Sequence, residues 1–107
     1  MYCENVNHEE FEGFDIYLDF CEEYAQPDWD MTENEKTELL RKIENSELLW
    51  FCARVRACKN DIKLATVYLG HCCYVSKEEF MQKGEYYEDM KEQAVSEAKE
   101  VLLKLVA

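Results

Sequence analysis

A chain of 107 residues with a net charge of -12 has the length of a single ordinary domain. Its 48% apolar composition, with five Phe, seven Tyr and two Trp, supplies a packed core and excludes a disordered acidic tail. So acidic a balance repels nucleic acid and anionic membrane surfaces and attracts basic ones.

No apolar run reaches the length of a membrane span. Residues 1–10 are polar and acidic, so no secretory signal is expected. Without export information, the six cysteines read as buried or surface thiols in a reducing cytosol rather than as a disulfide framework. The charge is unevenly placed: residues 1–40 hold 13 acidic side chains against Lys36 alone, whereas 11 basic and 11 acidic side chains balance over residues 41–107.

In chain order, Phe14, Tyr17, Leu18, Cys21, Tyr24 and Ala25 recur at three- and four-residue steps and predict a first amphipathic helix over residues 11–25. Asp15, Asp19 and Glu22 then line its outer side about one turn apart. Gly13 weakens its first turn and Pro27 ends it. Thr32 followed by Glu35 is a capping box, and Leu39, Leu40 and Ile43 continue into a second helix that ends near Asn45. From residue 49 the period changes to two. Residues 50–58 and 62–69 flank Asn60-Asp61 and predict a β-hairpin whose core face carries Phe51, Ala53, Val55 and Ala57, with Trp50, Cys52, Arg54, Arg56 and Cys58 on the other side. Gly70 bends or ends the second strand, and residues 71–75 are a candidate third strand. Ser76 with Glu79 is another capping box. It opens a helix, interruptible at Gly84, whose apolar stripe Tyr87, Met90, Ala94, Ala98, Val101, Leu102 and Leu105 is assigned to the hairpin's core face.

The expected fold is therefore α+β: two N-terminal helices, a central antiparallel hairpin of two or three strands, and a long C-terminal helix packed on the sheet. One domain covers residues 1–107, with an acidic helical part at 1–47, the hairpin at 48–75 and the last helix at 76–106.

The Cys and His residues carry little chemistry in this reading. Cys52, Cys58, His71, Cys72 and Cys73 could in number hold a zinc ion, but Cys52 and Cys58 are six apart and Cys72 and Cys73 point to opposite sides of an extended chain. Structural zinc sites use close ligand pairs, so neither metal nor cofactor is expected. A nucleophilic pair of His71 and Cys72 fails for the same reason, since neighbours in a strand face apart. With three glycines there is no phosphate loop. Arg54, Arg56 and Lys63 form a basic patch too small to give so acidic a chain direct affinity for nucleic acid. They are expected to salt-bridge the acidic helices, keep a sheet face soluble or pair with a second copy.

The acidic first third is the remaining signal, and its plain reading is a solvated surface. Its sharper reading is electrostatic mimicry: carboxylates at one-turn steps approximate successive phosphates about 6 to 7 Å apart, and Tyr17, Tyr24 and Trp29 would add aromatic anchors. The expected partner-binding residues are Asp15, Asp19, Glu22, Glu23, Asp28, Trp29, Asp30, Glu33 and Glu35. In charge, size and compactness this profile resembles the small acidic inhibitors of bacteriophages and mobile elements, the anti-CRISPR and anti-restriction proteins. The resemblance implies a non-enzymatic inhibitor, acting in a bacterial cytoplasm, that covers the basic nucleic-acid-binding surface of a defence nuclease or CRISPR effector subunit. The alternatives are an acidic adaptor or regulatory subunit for a basic host protein and, behind it, a small enzyme or metal protein using His71, Cys72 and Cys73. Membrane is not among the expected partners, while a homodimer is.

Overall fold

The computed structural model describes residues 2–25 and 30–106. Strands come first: β1 (Cys3–Phe11), β2 (Phe14–Cys21), then helix α1 (Glu33–Glu44), strands β3 (Leu49–Lys59) and β4 (Ile62–Tyr74), a short helix α2 (Lys77–Phe80) and the long helix α3 (Tyr86–Val106). The four strands form one antiparallel sheet in the order β1-β2-β3-β4.

This overturns the two expected N-terminal helices. Residues 11–25 are not helical, and the helix at Glu33–Glu44 follows a pair of strands. The physical reason lies in β2 itself. Phe14, Ile16 and Leu18 are buried at 0–3% exposure, with half-buried Phe20 packed on the same core, while Asp15, Tyr17 and Asp19 alternate with them. That is the period of a half-buried strand, and a helix would leave Ile16 and Phe20 off its apolar face. Glu12 and Gly13 supply the turn, both at positive φ (51° and 87°), as a two-residue hairpin connection between twisted strands requires. Asn60 and Asp61 do the same between β3 and β4, with φ of 53° and 65°.

α3 covers one face of the sheet. Tyr87, Met90, Ala94, Val95 and Ala98 are buried against Phe51, Ala53, Val55, Ala57 and Val67, and the two alanines at four-residue spacing let helix and sheet approach closely. The stripe ends earlier than the sequence predicts, because Val101 and Leu102 are only half-buried and Leu105 is 70% exposed. α2 contributes Phe80, fully buried, which stands edge-on to Phe20, Phe51 and Tyr74 with ring centroids 5.1–5.7 Å away. Beneath α3, Lys91 is 6% exposed and donates to Glu9 on β1 at 3.0 Å, while the Tyr87 hydroxyl donates to the same carboxylate at 2.7 Å. Burial acts to raise the pKa of Glu9, but the hydrogen bonds from Tyr87 and Lys91 outweigh it and hold that pKa below its usual value.

The cysteines also depart from the expectation of thiols throughout. Cys3 and Cys21 face each other across β1 and β2 and are joined by a disulfide, whereas Cys52, Cys58, Cys72 and Cys73 are free. The pair was invisible without β1, whose register brings the two residues together. Among the described residues no helix is long and apolar enough to cross a membrane.

Candidate functional site

The face of the sheet opposite α3 carries side chains of all four strands. From β1 to β4, one row reads Asn5, Asp19, Arg54 and Tyr68, and the next reads His8, Tyr17, Arg56 and Thr66. Asp19 is the hub, at 1% exposure. It accepts from Arg54 Nε at 2.9 Å, from Arg56 Nε and Nη2 at 2.7 and 3.1 Å, and from Asn5 Nδ2 at 3.1 Å. Burial alone would raise the Asp19 pKa. The hydrogen bonds from Arg56, Asn5 and Arg54, with the Arg56 charge, outweigh that effect and hold the carboxyl below its ordinary range. Beside this cluster the rings of His8 and Tyr17 stack at 4.4 Å, and the Arg56 guanidinium lies 4.7 Å from the Tyr17 centroid.

Asp19 is therefore a structural counter-ion to Arg54 and Arg56, and it cannot meet a basic partner. The two arginines pair with an acidic residue, as the sequence suggests, but with one on a neighbouring strand rather than on a helix. Asp15 does lie on the open face, opposite Glu10 and 3.5 Å from His8 Nε2. Like charges opposed across strands are unfavourable. Asp15, Asp19 and Glu22 form no row of equal steps, since Glu22 lies beyond the strand and accepts from the Tyr24 hydroxyl at 2.6 Å. Glu23 is held inward. It accepts the backbone N–H of His71 at 2.8 Å, and this bond is the main reason its pKa falls.

Asp30, Glu33 and Glu35 are exposed at and just before the start of α1; Asp28 and Trp29 lie outside the described residues. Thr32 caps this helix by accepting from the Glu35 N–H at 3.2 Å, which is the N-cap half of the capping box. The structure thus disperses the expected site: Asp15 lies toward the Glu12-Gly13 turn, Asp19 is buried in mid-strand, Glu22 and Glu23 follow the far end of β2, and Asp30, Glu33 and Glu35 lie at α1. It also adds Glu4 and Glu10, exposed on β1, which a helical reading of the N-terminus could not place.

The free thiols are poor nucleophiles. Burial pushes Cys52, Cys58, Cys72 and Cys73 upward, Cys72 to about 11, so they stay protonated at neutral pH. The Cys72 thiol is buried in the core and lies 3.3 Å from the Leu69 carbonyl, while His71 is exposed and stacks on Trp50. Among the described residues no group of three or more His, Cys, Asp or Glu is placed to hold a metal ion. Compared with known proteins, the chain matches no protein family, no curated protein and no solved structure.

Proposed function

We propose that this chain is a binding protein that presents its acidic surface to a basic, nucleic-acid-binding surface of another protein, as several of the anti-CRISPR and anti-restriction inhibitors do. The carrying observation is which carboxylates the fold leaves over. Asp19, Glu9, Glu12, Glu38 and Glu47 are engaged by Arg or Lys of the same chain. Among the described residues Glu4, Glu10, Glu22, Asp30, Glu33 and Glu35 are exposed without an ion pair, as are Glu44, Asp61, Asp89, Glu92, Glu97 and Glu100, but only the first six lie in residues 1–40, where Lys36 is the one basic side chain. Exposed uncompensated charge of one sign destabilises a compact chain by self-repulsion and speeds encounter with an opposite field. On this reading the target is a defence nuclease or effector subunit in a bacterial cytoplasm, blocked by electrostatic and steric competition.

The test is displacement of a labelled DNA duplex from purified restriction and CRISPR effector complexes, followed by fluorescence anisotropy over a salt series. Wild type should displace the duplex from its target with an affinity that falls steeply as salt rises. A Glu4→Lys, Glu10→Lys, Glu22→Lys variant should lose that ability with an unchanged circular dichroism spectrum. Asp19 is left intact, because reversing it would break the fold. Displacement that ignores both salt and these substitutions would refute the electrostatic reading.

A further inference from the structure

Residues 22–48 connect β2 to β3, two strands that lie side by side and antiparallel. Such neighbours need only about two to five residues between them, so the sheet does not require this excursion. Its helix, α1, has 12 residues, none of them buried. A helix of that length is marginal on its own in water, and α1 is nevertheless amphipathic. Leu39, with Met31 and Leu48, lines an open cleft of about 530 Å³ whose rim is Asn34, Glu35, Glu38 and Lys42.

The rim charges say what fits there. Glu35 and Lys42 are seven residues apart, hence on one side of the helix and about 10 Å from each other along its axis. Neither has an ion pair among the described residues, whereas Glu38 is held by Arg41 at 2.6 Å. Glu33, Glu35 and Glu38 outweigh Lys36 in the first half of α1, and Arg41 and Lys42 outweigh Glu44 in the second. A purely basic partner would oppose Lys42, and a parallel copy would set like charges against each other. A reversed copy of the same helix satisfies both halves.

We propose that α1 is a self-association surface, through which two copies of this chain pair their helices antiparallel about a two-fold axis near Glu38 and Leu39. Glu35 of each copy then faces the partner's Lys42, and Leu39 packs on the partner's Leu39 with Met31 and Leu48 closing the sides. The contact is isologous and closes at two copies. It is small, and its dimer forms in the micromolar range and loosens with salt.

Sedimentation velocity on the full chain, from about 5 to 500 µM, spans the range in which such a contact populates. Wild type should pass from monomer to dimer. Leu39→Asp should remain monomeric with the thermal melt of wild type, because α1 contributes no buried residue to the core. Lys42→Glu and Glu35→Lys should each weaken dimerisation about tenfold or more. An equimolar mixture of these two variants should regain it, since every pair across the axis is then opposite in sign. Wild type that stays monomeric over the whole range would overturn the proposal and leave the cleft to a different protein. A dimer that survives Leu39→Asp, or a mixture that fails to recover, would overturn it equally. Displacement of DNA by the β1–β2 edge is read separately, so either reading can fail without the other.

Discussion

Replacing Asp19 with Ala removes a carboxylate that is 1% exposed and accepts four hydrogen bonds, three of them from guanidinium groups. Breaking a buried ion pair by deleting one partner costs about 3 to 5 kcal/mol, chiefly because the other charge is left without compensation. Here the stranded charges are Arg54 and Arg56, whose side chains keep 25% and 27% exposure and can recover water, so the lower end applies. A loss of about 3 kcal/mol corresponds to a Tm lower by roughly 10 to 15 °C in a domain of this size. The pH dependence has a definite sign. The folded pKa of Asp19 lies below its ordinary value, so its stabilisation is complete above the unfolded pKa of about 4 and is lost as pH falls through the folded pKa. Thermal melts of wild type and Asp19→Ala by circular dichroism should therefore differ most at neutral pH and converge as pH falls through the lowered folded pKa of Asp19. A variant that melts within two or three degrees of wild type at neutral pH, or a gap that does not narrow in acid, would refute the assignment of Asp19 as the hub of the open face.

Two further outcomes follow from the packing. Val95→Asp places a charge at a position 1% exposed and should abolish the cooperative melt, whereas Leu105→Asp, at the 70% exposed end of the same helix, should leave it within about 0.5 kcal/mol of wild type. Cys3→Ser opens a cross-link between residues 18 apart in sequence and should cost about 3 kcal/mol, with amide exchange accelerating first along β1; equal protection of β1 in both proteins would show that the edge strand holds without the bond.

Much of the second half of the fold was legible, and most of the first was not. Residues 51–57 alternate so strictly that the core face of β3 could be named in advance, and Asn60-Asp61 marks its turn. Both N-caps form where their spacing implies, with Thr32 and Ser76 accepting from the N–H groups of Glu35 and Glu79 at 3.2 Å. The N-terminus misled because residues 14–21 satisfy two periods at once, and the helical stripe was built on Tyr17, which faces the open side. Ile16 and Phe20, left out of that stripe, were the discriminating residues. β1 carries almost no signal of its own: only Val6 and Phe11 are large aliphatic or aromatic residues between Cys3 and Phe11, and its place depends on pairing with β2. The site followed the error. Asp19 looked like one of several outward carboxylates because its partners, Arg54 and Arg56, are more than thirty residues away in sequence.

The sheet has two unequal borders. β1 carries Glu4 and Glu10 and bulges between Asn5 and Asn7, where the Val6 carbonyl is taken by the Lys77 ammonium at 3.2 Å. β4 carries Lys63 and the exposed Ile62 and Tyr68. Borders of opposite character invite head-to-tail stacking, sheet upon sheet, and such an arrangement has no symmetry to close it. The bulge and its occupied carbonyl interrupt the row of backbone groups that an incoming β4 would need. Repulsion between copies is weakest near the pI of about 4.5, and there a broken row of edge hydrogen-bonding groups opposes strand-to-strand pairing where charge no longer does.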